Sequence, residues 1–253
     1  MAYTTIDDPS AYFNSLIYTG NVTVRALTFD GNSDLAVDWI WLKSRSISGN
    51  HHLYDSVRGT QKHLRSNLDS AEGTNGGTDG VTAFSSNGVT IGTNTASNDD
   101  GETFVGWGWK AGTSFTNDAS GTGIGTIDST GSVNTDAGFS IISFTGTETS
   151  SQSVAHGLGA VPELIISKSR DVADNWMVHH GSFSENDYIS LNLTNAKASA
   201  SSVWSSLPTS TVINIGDNAG VNDDGAMIMY AFRSVQGYSK FGSYTGNGNA
   251  DGT

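Results

Sequence analysis

The sequence predicts an all-β protein: two tandem antiparallel β-sandwich domains of jelly-roll or lectin-like type, plus the first strand of a third copy. Three observations carry that expectation. The 253 residues include 31 Gly and many Ser, Thr and Asn but only 15% charged residues, the composition of short strands joined by many turns. The apolar segments are short and alternate, as half-buried strands do. Finally, blocks of sequence recur in one order at a nearly constant offset.

Taken along the chain, Leu16-Ile17-Tyr18-Thr19-Gly20-Asn21 returns as Ile142-Ser143-Phe144-Thr145-Gly146-Thr147, and again as Gly242-Ser243-Tyr244-Thr245-Gly246-Asn247. Val22 to Phe29 alternates at period two and reads as a strand. Trp39 to Arg45 returns 125 positions later as Leu164 to Arg170, a core strand in each case. Asn67-Leu68 and Ala71 fall on Asn192-Leu193 and Ala196 at the same offset. Asn98-Asp99-Asp100-Gly101 falls on Asn222-Asp223-Asp224-Gly225, and Trp107 to Lys110 on Tyr230 to Arg233. Ala196 to Trp204 reads as a short helix or turn. The boundaries expected are a first sandwich over 1–112 with a short N-terminal segment, a linker rich in Gly, Ser and Thr over 113–137, and a second sandwich over 138–237. Residues 238–253 begin a third copy or complete a neighbouring sheet.

Composition excludes several functions. Without Cys there is no disulfide framework, thiolate zinc site or cysteine nucleophile. Twelve basic against 25 acidic residues give a net charge of −13, which argues against nucleic acid or an anionic membrane as partner. No apolar run approaches the ~18 residues of a membrane span. The N-terminal residues lack the basic and apolar regions of a cleaved secretion signal.

The chemistry-bearing residues are few. Asp99-Asp100 and Asp223-Asp224 are paired carboxylates, weak candidates for a metal; followed by Gly, they read first as turns. Calcium stays open as a cofactor, although the spaced Asp-x-Asp-x-Asp-Gly loop is missing. No carboxylate dyad spanning a substrate and no Gly-x-Ser-x-Gly elbow can be placed, so the chain is not expected to be an enzyme. Gly121-Thr122-Gly123-Ile124-Gly125 resembles a nucleotide loop only superficially, having no Lys-Ser/Thr after it. His51-His52 and His179-His180 occupy nearly equivalent places, shifted by about three residues; His63 and His156 stand alone. Trp39 with Trp41, and Trp107 with Trp109, share strand faces and read as core. Trp176 and Trp204 lie among polar residues and are the candidate ligand-binding rings, placed for stacking on a sugar. Arg58, Lys43, Arg45, Lys168 and Arg170 are scarce cations expected to pair with carboxylates.

The Tyr-Thr-Gly-Asn opening (18–21), Trp-Leu-Lys-Ser-Arg (41–45), Leu-Tyr-Asp-Ser-Val-Arg-Gly (53–59), Trp-Gly-Trp-Lys-Ala-Gly (107–112) and His-Gly-Leu-Gly-Ala-Val-Pro (156–162) together resemble a family of repeated domains, of unknown molecular function, in virion proteins of tailed bacteriophages, marine ones especially. The first copy departs from it at Phe29 to Asp34, where the Gly-Leu-Gly loop would sit. The second departs at Val178-His179-His180-Gly181, where Tyr-Asp-Ser-Val-Arg-Gly would sit. The resemblance implies a lectin-like sandwich in a tail fibre, spike or capsid-attached appendage, assembled in the host cytoplasm. The implied partners are other virion proteins, further copies of the chain (a trimer foremost) and a host-surface glycan. It implies no catalytic residue; apart from the open calcium question, no cofactor is expected. A secreted bacterial carbohydrate-binding or adhesin module is the alternative.

Overall fold

The computed structural model describes residues 4–249. The first half lays down β1 (Phe13–Thr19), β2 (Arg25–Leu27), β3 (Trp39–Ser44), β4 (His52–Asp55), β5 (Lys62–Arg65), β6 (Gly73–Thr74), β7 (Val81–Ser85), β8 (Gly88–Ile91), the single turn α1 (Thr95–Asn98) and β9 (Thr103–Trp109). Next come β10 (Thr113–Asn117), α2 (Ala119–Thr122), β11 (Ser129–Asn134), β12 (Phe139–Thr145) and β13 (Gln152–Ala155). The chain closes with β14 (Leu164–Ser169), β15 (Met177–His180), β16 (Asp187–Ser190), β17 (Ala198–Ser199), β18 (Val212–Ile215), α3 (Ala219–Asn222) and β19 (Ala226–Phe232). The all-β expectation holds, and every ladder between these strands is antiparallel.

Two large sheets dominate. The first has the order β1-β9-β3-β4-β5-β6, and the second contains β12-β19-β14-β15-β16-β17, with β11 and β10 added beyond β12. Each large sheet is covered on one face by a small one, β2-β8-β7 or β13-β18. Period-two alternation distributes the core: on β19, Met227, Met229 and Ala231 face the small sheet while Ile228, Tyr230 and Phe232 face the other way. On that other face the two large sheets meet. Trp39, Leu53, Leu64 and Ala111 of the first half and Phe139, Ile141, Ile166, Trp176, Val178 and Tyr230 of the second form one buried cluster.

The recurring motifs build one device twice. Gly20 N–H donates to Glu102 O (2.8 Å), and Asn98 grips the following loop: its Oδ1 accepts from Asn21 N while its Nδ2 donates to Thr23 O and Gly92 O. In the second half Gly146 N–H donates to Gly225 O (2.9 Å), Asn222 Oδ1 accepts from Thr147 N, and Asn222 Nδ2 donates to Thr149 O and Gly216 O. The glycines are demanded by contact. A Cβ on Gly20 would lie 1.9 Å from Asp99 O, and one on Gly146 2.0 Å from Asp223 O. Gly108 on β9 is bare for a similar reason, since a Cβ there would meet Phe29 at 2.7 Å.

Several expectations are corrected. Residues 113–137 are no plain linker: β10 and β11 extend the second large sheet, and Asp118 caps α2. The segment gives the core cluster only Ile127 and Val133, with half-buried Phe115 lying against Gly131, so its Gly, Ser and Thr composition hid the strands. Of Val22 to Phe29 only Arg25–Leu27 is strand, because Asn98 holds the residues before it as a loop. Ala196 to Trp204 contains the two-residue β17 and a turn. Residues 238–249 contain no strand, only a bridge from Ser239 back to Val235 within a turn, and Gly242 onward is exposed. Residues 250–253 of the expected third-copy strand lie outside the described residues.

A buried charge network crosses the junction of the large sheets. Asp55 and Arg58 pair with no exposed side-chain surface, and Arg58 also reaches Glu72 at 3.1 Å and the Leu53 carbonyl. Tyr230, from the other sheet, donates its hydroxyl to Asp55 Oδ2 at 2.7 Å. Arg170 grips Glu72 through two bonds of 2.9 Å. Burial pushes the Glu72 carboxyl up, but Arg170 and Arg58 outweigh it and hold it below its ordinary value. Lys168 departs from the expectation of a carboxylate partner: it is wholly buried and donates to the carbonyls of Ser169 and Val172. Burial lowers its ammonium to about 8, against an opposing pull from Asp174, Asp69 and Asp223.

Three outcomes follow from this packing. Asp55→Ala strands Arg58 in the interior and lowers the unfolding free energy by about 3–5 kcal/mol in urea titration, whereas exposed Asp100→Ala changes it by less than about 0.5. Gly20→Ala and Gly146→Ala each cost about 1–3 kcal/mol in the same assay, through overpacking against backbone. Above pH ~8 the unfolded chain retains a Lys168 proton that the folded chain has released, so this residue makes stability rise with pH until the unfolded lysine itself deprotonates at pH ~10.4. Lys168→Met removes that rise, read as the difference between the two stability–pH curves.

Candidate functional site

Strand alternation on β3 and β9 sends Trp39, Trp41, Trp107 and Trp109 to one face, the face turned toward the second large sheet. The small sheet behind them needs room, which Gly106 and Gly108 supply on the opposite side. Trp39 is sealed in, stacked on Tyr230 (4.4 Å between centroids) and tilted against Trp109 (4.6 Å). Trp41 and Trp109 stay half-buried because the two sheets diverge at this end.

The divergence leaves a cleft of about 420 Å³. Phe13, Trp41 and Trp109 wall it from the first sheet, Phe139, Leu164 and Phe232 from the second, and Tyr238 and Phe241 from the segment after β19. Phe139 stacks on Phe232 at 4.6 Å, and Phe241 closes on Phe232 at 5.6 Å. Polar groups are confined to the rim, where Ser239 and Lys240 lie. The indole N–H groups of Trp39 and Trp41 are buried with no acceptor among the described residues. Such a cleft can receive the flat face of a ring and offers little to a highly charged group.

The residues singled out from sequence go elsewhere. Trp176 and Trp204 are 0% and 1% exposed, so neither ring can stack on a sugar. Trp176 sits in the junction of the large sheets and donates its indole N–H to Arg65 O and Leu68 O of the first half. Trp204 lies under the second small sheet, edge-on to His179 at 6.0 Å. Asp99 and Asp223 follow α1 and α3 in the glycine-gripping loops, with Asp100 and Asp224 exposed beside them; the two pairs belong to different large sheets. Among the described residues no group of three or more His, Asp or Glu side chains is gathered as metal ligands.

The histidines divide. His156 is buried and structural: its Nδ1 accepts from Leu158 N at 3.1 Å, which leaves Nε2 to donate to Thr209 O at 3.2 Å. His179 is buried against Trp204, and His180 bonds Ser182. His52 and His63, on neighbouring strands, come together with ring centroids 5.2 Å apart. Gly121 to Gly125 is the end of α2, with Gly123 left-handed at its C-cap. Sequence reasoning read Trp41 and Trp109 as core and missed the cleft. The signal available was the alternation of Trp107 and Trp109 with Gly106 and Gly108, which marks a crowded reverse face rather than a crowded aromatic one; Trp41, between Ile40 and Leu42, carried no such signal.

The family described as "Domain of unknown function (DUF7483)" matches residues 8–253, and the chain belongs to that family. No curated protein matches the chain, and no solved structure matches it.

Proposed function

We propose that this member of a family of unknown function is a two-copy β-repeat module of a tailed-bacteriophage virion, a non-catalytic part of a tail fibre, spike or capsid-attached appendage. The single observation that carries the reading is the doubled clamp. Asn98 and Asn222 make the same three bonds beside Gly20 and Gly146, in sheets whose strand orders run in parallel. A duplicated unit whose recurrent residues are taken up in holding loops and edges supports a building element rather than an enzyme.

The two copies are fused through a shared core instead of hanging on a flexible tether, which suits a stiff spacer. In this reading the aromatic cleft makes the contact with a host-surface glycan, its ring faces meeting the apolar face of a sugar. Other virion proteins and further copies of the chain are the remaining partners. Trimerisation would present three clefts at once, adding weak sites through effective concentration.

Antibody raised against the chain labels an appendage of intact particles if the reading is right; label absent from particles, with the protein secreted by uninfected bacteria, overturns it in favour of a bacterial adhesin. Mass photometry is expected to find three times the 26.5 kDa of one chain. Titration with host-surface glycans shifts tryptophan fluorescence, and Trp41→Ala weakens that binding by about tenfold, the equivalent of ~1.4 kcal/mol.

A further inference from the structure

Away from the cleft, β4 and β5 hold an unexplained set of nitrogens. Arg65 ends β5, and in a chain of net charge −13 it makes no ion pair among the described residues, where its buried Nε also finds no acceptor. Beside it His52 and His63 are 5% and 6% exposed, and the buried Nδ1 of each also lacks a partner among the described residues. A buried polar atom left unpaired costs free energy, so three on neighbouring positions of two paired strands call for an explanation. All three side chains line a pocket of about 320 Å³, together with Asn50, Asn75 and Asp99.

The fold does not require this set. His52 stands opposite Arg65 on the β4–β5 ladder and opposite Leu42 of β3. The matching rungs of the second large sheet pair Met177 with Ser190, and Met177 with Ser167. Tyr188 takes the place of His63 one rung further on. There the same strand positions hold without an imidazole or a guanidinium. The histidine–arginine set is therefore an addition to the scaffold.

Its chemistry selects a ligand. Burial, joined by the neighbouring His63 and Arg65, pushes the His52 imidazole down to about 3; burial and Arg65 push His63 down to about 4. Both rings are neutral at physiological pH and serve as hydrogen-bonding groups, which leaves Arg65 as the cation of the pocket. One guanidinium fits one carboxylate. Asparagine amides, neutral imidazoles and the Asp99 carboxylate fit hydroxyl groups.

We propose that this pocket binds an acidic sugar, with Arg65 taking the carboxylate and the surrounding amides, imidazoles and Asp99 taking ring hydroxyls. The proposal rests on the host-glycan reading above and adds to it a second, polar subsite in the first copy alone. It makes the module selective for uronic- or sialic-acid-bearing surfaces.

The test is calorimetric titration of the full chain with D-galacturonate, N-acetylneuraminate, D-galactose and inorganic phosphate. At least one acidic sugar is expected to bind at least tenfold more tightly than galactose, and Arg65→Gln to remove that preference. Because Arg65 is unpaired, Arg65→Gln keeps the wild-type unfolding midpoint. The His52→Met/His63→Tyr double variant, which installs the residues of the second sheet, weakens acidic-sugar binding at least tenfold while remaining folded. No acidic-sugar binding, unchanged binding by Arg65→Gln, or phosphate binding as tightly as the acidic sugars each overturns the assignment. Labelling of virions is read independently, so a labelled appendage with a silent titration refutes this subsite and leaves the appendage reading intact.

Discussion

A guanidinium withdrawn completely from water must be met on every side, and Arg58 is met by groups from both halves of the chain. Asp55 and the Leu53 carbonyl come from β4, Glu72 from the loop before β6, and Tyr230 reaches Asp55 from the second large sheet. The pair need not add net stability, since its desolvation offsets much of its attraction. Its importance is as a constraint. Any slip of one large sheet over the other leaves a charge or a hydroxyl unmet, so the aromatic cluster around it has one register in which to form.

From that register the rest follows. Trp39 stacks on Tyr230 because Tyr230 is fixed by Asp55, and Arg170 reaches Glu72 because β14 lies beside β19. Where the large sheets part beyond Trp39, the cleft opens, and its walls are the ends of the strands that the network aligns. Site and scaffold are thus one arrangement.

Much of this was readable in the sequence, and the part that was not has a common cause. Strand class, the recurrence of the clamp residues and the pairing of Arg58 came from local pattern, because glycine and asparagine at 20, 98, 146 and 222 are demanded by contacts within one sheet. Trp176 looked exposed because Asp174, Asn175 and His179 surround it in sequence, yet its ring is covered by the other half of the chain. Residues 113–137 looked like a linker because a segment anchored by Ile127, Val133 and Phe115 needs few other apolar residues. His52, His63 and Arg65 are scattered in sequence and meet only when β4 pairs with β5.

The strand order also sets how the molecule carries tension. β1 is held by a single ladder to β9, with Ile17 65% exposed on its open edge, whereas β19 lies between β12 and β14 and is held on both sides. Of these two strands β1, laddered on one side only, parts before β19 under a pull transmitted along the chain. The doubly laddered centre of the second sheet yields later, so the module lengthens from one end while the other stays anchored.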